Sequence, residues 1–225
     1  MDYLSRSIRM IGQKNIEKIN RSSVLIFGLG GVGGAAVETL VRTGIGKLGI
    51  VDCDIVEESN LNRQIIATKD TIGMRKTKAC RQRIESIRSM DVVEYDFNYN
   101  KDTVDQIDFK DYDYIVDAID TVSSKLLIIQ RAVSEGKKVL SVMGTGNKLN
   151  PLSFEIVPIE KTKYCPLARV MRRELKKRKI YKVPVLYSKE IPQKVGDHIP
   201  GSMSFVPPVA GMIVTSYIVN DIIKS

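Results

Sequence analysis

The chain is poor in the residues that build disulfide and metal sites. Among its 225 residues are three cysteines and one histidine. Cys53, Cys80 and Cys165 are isolated, and no Cys-x-x-Cys pair occurs. A disulfide framework is excluded, and His198 alone cannot complete a four-ligand zinc site. The first six residues contain no apolar run of secretory length. The most apolar C-terminal stretch is interrupted by Pro207, Pro208, Gly211, Thr215 and Ser216, which argues against a membrane span. Internal repeats and flexible linkers are lacking too. The remaining composition, 43% hydrophobic and 27% charged, suits one substantial core in a cytoplasmic protein.

What is present begins with glycine. Residues 24–27 (Val-Leu-Ile-Phe) read as a buried strand and lead directly into Gly28-Leu29-Gly30-Gly31-Val32-Gly33. Glycines Gly28, Gly30, Gly31 and Gly33 allow a tight turn and close approach to a phosphate. A helix over 32–42 then points its free N–H groups and positive dipole end at the loop. A second apolar run, 48–51, ends at Asp52, where a carboxylate can accept hydrogen bonds from a ribose. This is a nucleotide-binding βαβ pattern, and by itself it suggests NAD.

The residues after Asp52 argue for different chemistry. A polar loop carries Ser59, Asn60, Asn62, Arg63 and Gln64, and Lys76 opens a helix beyond it. A third strand, 114–120, ends with the carboxylates Asp117 and Asp120, followed by Thr121. A dinucleotide site has little use for two fixed cations and an extra carboxylate beside its phosphates. A site that cleaves a triphosphate needs them: Arg63 and Lys76 to neutralise phosphates, Asp120 to hold Mg²⁺ through oxygen. A surface salt-bridge cluster beside an ordinary strand end is the bland alternative.

Gly28 to Gly33, Asp52-x-Asp54, Ser59-Asn60-Leu61-Asn62-Arg63-Gln64, Lys76 and Asp120 resemble the ATP site of the ubiquitin-like-protein activating superfamily (ThiF, MoeB and HesA among its members). The resemblance covers about residues 5–150. It implies adenylation of a carboxylate with release of pyrophosphate. It implies Asp52 at the ribose, Asn62, Arg63 and Lys76 around the triphosphate, and Asp120 on Mg²⁺, with Ser59, Asn60, Gln64 and Thr121 lining the pocket. It also implies a two-fold homodimer, in which Arg6, six residues before Gly12, would reach the partner's ATP site; a helix-surface arginine is the alternative.

Charge is concentrated elsewhere. The chain has 35 basic and 26 acidic residues, a net charge of +9, and residues 161–182 hold ten Lys or Arg against one Glu, which accounts for the whole excess. Within that segment a helix is predicted over 165–179, with Pro166 in its first turn. Leu167, Val170, Met171 and Leu175 make one apolar stripe. Arg169, Arg172, Arg173, Lys176, Lys177, Arg178 and Lys179 occupy the other faces. A solvated helix face normally mixes signs; this one does not, and a polyanion such as RNA is the better-matched partner. Without aromatics in the stripe, a membrane is the poorer match.

Further helices are predicted over 7–20, 76–89, 125–136 and 212–223, and strands over 92–95, 138–143, 153–158 and 183–187. Residues 200–211 read as a Pro/Gly-rich loop. Strands alternating with helices predict an α/β fold with a doubly wound, mostly parallel sheet: a single Rossmann-like adenylating domain over 1–225, with an ATP-binding core over 5–150 and a C-terminal extension over 151–225 packed on it.

Pro166-Leu167-Ala168 opening a basic helix, then Val185-Leu186-Tyr187-Ser188-Lys189-Glu190, then Gly201-Ser202-Met203-Ser204-Phe205-Val206-Pro207, resemble one branch of the superfamily, the tRNA threonylcarbamoyladenosine dehydratases. This implies ATP-dependent ring closure on a tRNA nucleoside, with tRNA as partner. No protein nucleophile is then required, because the attacking group is tethered to the activated carboxylate. The alternative is activation of a ubiquitin-like sulfur-carrier protein, which in relatives often accompanies zinc-binding Cys-x-x-Cys pairs. Cys165 would be the candidate thiol for it, although a structural role suits all three cysteines better. A nicotinamide-dependent oxidoreductase would leave Arg63 and Lys76 without a role.

Overall fold

The structure, a computed structural model, describes residues 3–196 and 199–225. Two short helices, α1 (Ser5–Ile11) and α2 (Gln13–Arg21), lead into β1 (Ser23–Phe27), α3 (Gly31–Thr43) and β2 (Lys47–Val51). Then come α4 (Lys76–Glu85), β3 (Asp91–Tyr95), β4 (Tyr114–Asp117), α5 (Val122–Ser134) and β5 (Lys138–Val142). The chain closes with β6 (Phe154–Pro158), α6 (Pro166–Lys177), β7 (Pro184–Ser188) and α7 (Val206–Lys224). The strands form one seven-stranded sheet in the order β3-β2-β1-β4-β5-β7-β6. Every neighbouring pair is parallel except β6 with β7.

Both faces of the sheet are covered, so its central strands are apolar throughout rather than alternating. Val24, Ile26, Leu48, Ile50 and Val116 pack toward α2, α3, α4 and α7. Leu25, Phe27, Ile115, Val139 and Val185 point the other way, toward α5 and α6. The residues after 150 continue the same sheet: β7 pairs with β5 through Ser141↔Val185 and Val142↔Leu186, and β6 closes the edge.

Several boundaries differ from the sequence reading. The helix predicted over 7–20 is two helices, broken at Gly12, whose φ is 82°. α4 stops at Glu85, short of residue 89. β4 stops at Asp117, so Asp120 lies on a loop. The final helix starts at Val206, not 212, because Pro207 and Pro208 fall in its first turn, where the missing N–H groups have no intrahelical partner to lose. The prolines therefore open the helix instead of interrupting it. Among the described residues α7 is the one helix long and apolar enough to cross a membrane by length and composition. Its Ala210, Val214, Ile218 and Ile222 are buried in the core shared with α3, and Val206 is buried as well.

Candidate active site

The C-terminal ends of β1, β2 and β4 open into one cleft, about 870 Å³ in volume. Parallel strands ending together, with a crossover on each side, make this crevice a natural ligand site. Its floor is the glycine loop. Gly28 has φ 88°, and a Cβ there would lie 2.8 Å from the Ala118 carbonyl oxygen. At Gly33 a Cβ would sit 1.7 Å from the Gly28 carbonyl oxygen, so only glycine lets α3 approach β1 this closely. Gly28, Gly30 and Gly31 line the cleft; Gly33 serves packing and does not.

Asp52 ties the end of β2 to this loop. One carboxylate oxygen accepts the Leu29 N–H at 2.6 Å and the other the Asp54 N–H at 2.9 Å. Burial pushes its carboxyl above the usual range, against the pull of Lys76 and these N–H groups. Lys76 is almost fully buried at the start of α4. Its Nζ donates to the Asp54 carboxylate at 2.7 Å, and its N–H donates to the Asp54 carbonyl at 2.9 Å. The hydrogen bond from Lys76 holds Asp54 below the usual carboxylate range.

The polar loop is a short 3₁₀ turn, Glu58–Asn60, closed by Asn60, whose Oδ1 accepts the Glu57 N–H at 3.1 Å. Arg63 is fixed by Nη1 bonds to the Ser59 carbonyl and to Asn62 Oδ1, both 2.8 Å. Asn62 does not line the cleft: its Nδ2 donates to the Ser202 carbonyl at 3.1 Å, so it braces Arg63 from the rim. Gln64 is buried, and its Oε1 has no partner. An orphaned acceptor beside Gly30 is a place for a ligand's donor.

The loop after β4 brings Asp120 and Thr121 to the opposite wall. Beneath it lies a buried ion pair, Lys125 Nζ to Asp117 at 3.0 Å. Ser141 donates to Asp117 at 2.5 Å, and Lys125 also donates to the Ile119 and Val142 carbonyls at 3.0 and 2.8 Å. Asp117 is thereby a structural residue of the loop, not a second open carboxylate. Asp52, Cys53 and Asp54 gather their ligand atoms within 4.8 Å of one another, and Asp120 is not part of that group.

Outside the cleft, α6 buries Ala168, Met171 and Leu175, while Leu167 and Val170 are half-buried. Its cations are not equivalent. Arg172 turns inward and donates to the Thr162 carbonyl and hydroxyl, both at 2.7 Å. Glu174 gathers Arg173, Lys177 and Arg178 at 3.3, 2.8 and 3.0 Å. Those neighbours, Lys177 first, hold its carboxyl down to about 2. Among the described residues, Arg169, Lys176 and Lys179 make no ion pair.

Comparison with known proteins decides the family. A sequence profile of the ThiF family matches residues 4–225. The chain belongs to the ThiF family. It is similar to the tRNA threonylcarbamoyladenosine dehydratase of Bacillus subtilis, 34% identical over 245 residues, covering 100% of this chain and 96% of that one. Among solved structures, the E. coli tRNA N6-threonylcarbamoyladenosine dehydratase TcdA in complex with ATP gives a TM-score of 0.91 at 28% identity, covering 99% and 94% of the two chains. The Saccharomyces cerevisiae adenylyltransferase and sulfurtransferase UBA4 is 37% identical over 140 residues, but covers 61% of this chain and 32% of that one.

The ThiF-family cleft gathers most of the residues singled out from sequence: Gly28, Gly30, Gly31, Asp52, Ser59, Asn60, Arg63, Gln64, Lys76, Asp120 and Thr121 all line it. Arg6 does not. It is exposed on α1, outside the cleft of its own chain. His198 lies outside the described residues. Asp54, quoted from sequence within the Asp52-x-Asp54 motif, lines the cleft too, and sequence reading missed Arg75, Phe97, Asn98, Tyr99 and Ser124, which also line it. The alternating Tyr95-Asp96-Phe97-Asn98-Tyr99 run, which starts at the last residue of β3, was the available signal for the aromatic wall. Cys53, for which a structural role was expected, also lines the ThiF-family cleft. Burial and the carboxylates of Asp54 and Asp52 push its thiol up, so it is not a poised thiolate. Cys165 is buried at the head of α6, and Cys80 is buried in the core, where burial pushes its thiol up.

Proposed function

We propose that this chain catalyses the ATP-dependent dehydration of threonylcarbamoyladenosine in tRNA. ATP lies along the glycine loop with its ribose toward Asp52, its adenine toward the Phe97 and Tyr99 wall, and its phosphates toward Arg63 and Lys76. Ser59, Asn60, Gln64 and Thr121 complete the pocket, and Asn62 acts from outside by bracing Arg63. The threonyl carboxylate attacks the α-phosphorus and pyrophosphate leaves. The tethered carbamoyl group then attacks the acyl carbon, and AMP departs with the carboxylate oxygen. One water is lost overall, and the ring closes without a protein nucleophile.

The observation that carries the reading is the gathering of a glycine loop, two fixed cations and a separate carboxylate around one cleft. A nicotinamide cofactor would leave that arrangement unused. What favours tRNA over a carrier protein is likeness to a dehydratase along the whole of both chains. Asp120, a hard oxygen donor on the wall facing Lys76, suits Mg²⁺, which would balance phosphate charge when bound. Its carboxylate stands apart from Asp52 and Asp54, leaving the rest of a Mg²⁺ shell to phosphate oxygens and water.

The 151–225 segment is the substrate-binding part of a single domain, with Arg169, Lys176 and Lys179 on tRNA phosphates. Arg173, Lys177 and Arg178 contribute more weakly because Glu174 shares them, and Arg172 anchors the helix. The chain works as a homodimer, with Arg6 serving the partner's cleft, and in the cytoplasm, where tRNA is modified. ATP–pyrophosphate exchange tests the adenylation step. Exchange that requires threonylcarbamoyl-modified tRNA supports it; exchange stimulated by a ubiquitin-like carrier and indifferent to tRNA overturns it.

A further inference from the structure

The turn ahead of α6 is strained around an exposed ring. The Cys165 N–H donates to the Lys163 carbonyl at 2.7 Å, closing a three-residue turn on Tyr164, whose φ is 60°. This is a γ-turn of the rare hand, and a bulky side chain at its centre is a costly choice. Burial does not offset that cost, because Tyr164 is 62% exposed. Strain that persists under an exposed side chain is the pattern found where a residue is held for a ligand.

The surroundings are basic and concave. A hollow of about 430 Å³ beside the turn is lined by Lys161, Lys163, Lys189, Tyr187, Glu155 and Glu160, among others. Both of its carboxylates are already engaged. Glu155 accepts the Tyr187 hydroxyl at 2.7 Å and pairs with Lys189 at 3.3 Å, and Glu160 accepts the Lys182 N–H at 2.8 Å. Lys161 and Lys163 are exposed and make no ion pair among the described residues. The unpaired Arg169 follows on α6, with Lys176 two turns further along the same face.

We propose that Tyr164 is a stacking platform for an unpaired RNA base, with Lys161 and Lys163 on the phosphates beside it. A ring flanked by unpaired cations is the arrangement that binds single-stranded nucleotides: every base offers a π-face, and the lysines track the backbone. The strained turn fixes the ring outward before RNA arrives. The inference rests on tRNA being the substrate, as proposed above, and names where an exposed loop nucleotide is held.

The test measures binding of threonylcarbamoyl-modified tRNA to the full chain at several salt concentrations. Stacking releases no counterions, so Tyr164→Ala weakens affinity about tenfold at every salt concentration and leaves the salt slope unchanged. Tyr164→Phe binds as the parent does. Tyr164→Gly relieves the turn but loses the ring, so it matches Tyr164→Ala in affinity without a lower Tm. Replacing Lys161 and Lys163 together by alanine flattens the slope by about 1.5. If Tyr164→Ala and Tyr164→Gly bind normally while Arg169→Ala/Lys176→Ala/Lys179→Ala does not, the platform is wrong and the tRNA reading stands. If none of these variants loses affinity, the tRNA reading falls with it. A Tyr164→Ala chain that changes slope, or dissociates a dimer, also overturns the stacking role.

Discussion

Asp117 and Lys125 form an ion pair with both side chains fully excluded from solvent, 3.0 Å apart, at the root of the loop that carries Asp120. A pair this deep survives because every remaining valence is used: Ser141 on Asp117, the Ile119 and Val142 carbonyls on Lys125. Breaking it leaves an uncompensated buried charge. Lys125→Met should cost about 3–5 kcal/mol, read as a Tm fall of roughly 2–4 °C per kcal/mol in a chain this size. Asp117→Asn/Lys125→Met should regain part of the loss. A Lys125→Met chain that melts with the parent would contradict this account of the loop.

Lys76 and Asp120 both line the cleft in which ATP is proposed to bind. Removing either should lower ATP-dependent turnover about a hundredfold, near 3 kcal/mol, with the fold retained. Lys76→Ala also frees Asp54, whose carboxyl then titrates nearer its ordinary value. Normal turnover in both Lys76→Ala and Asp120→Ala would mean the cleft is not the adenylation site.

Glu174 links acid stability to the RNA contact proposed for α6. Its folded-state value is about 2 against an ordinary 4.5. Its stabilisation is therefore complete above about 4.5 and is lost as pH falls toward about 2. The Tm gap between the parent and Glu174→Gln should close over that window. At neutral pH the same variant releases Arg173, Lys177 and Arg178, so tRNA binding should tighten at low salt and its salt dependence should steepen. A weaker, flatter response would show that Glu174 orders these cations for RNA instead of competing for them.

Arg6 is outside its own cleft, which is the arrangement that action in trans requires. Arg6→Ala and Lys76→Ala chains, each inactive alone, should recover activity when mixed, because a heterodimer contains one complete site. No recovery after proven subunit exchange would leave Arg6 as a surface residue of α1.

The glycine loop was legible because its chemistry is local: strand, turn and helix are contiguous, and Asp52 follows at a readable distance. Arg63 and Lys76 were legible as charges, but their partners were not. That Asn62 braces Arg63 from outside depends on its contact with Ser202, 140 residues away. The Asp117–Lys125 pair was hidden for a related reason. Asp117 reads as the polar end of a strand and Lys125 as a helix residue, and only the crossover brings them together. Pro207 and Pro208 misled because proline stops a helix from within but opens one from its first turn. The basic segment was visible as a net charge, whereas its division into paired and unpaired cations depends on where Glu174 and Thr162 lie in three dimensions.

The central claim is tested most directly by incubating the chain with ATP, Mg²⁺ and threonylcarbamoyl-modified tRNA, digesting the RNA and weighing the nucleosides. The account predicts that the modified nucleoside becomes lighter by one water, with AMP formed in step and neither change in the Lys76→Ala chain. Modified nucleoside of unchanged mass after complete incubation with an ATP-binding chain would contradict it.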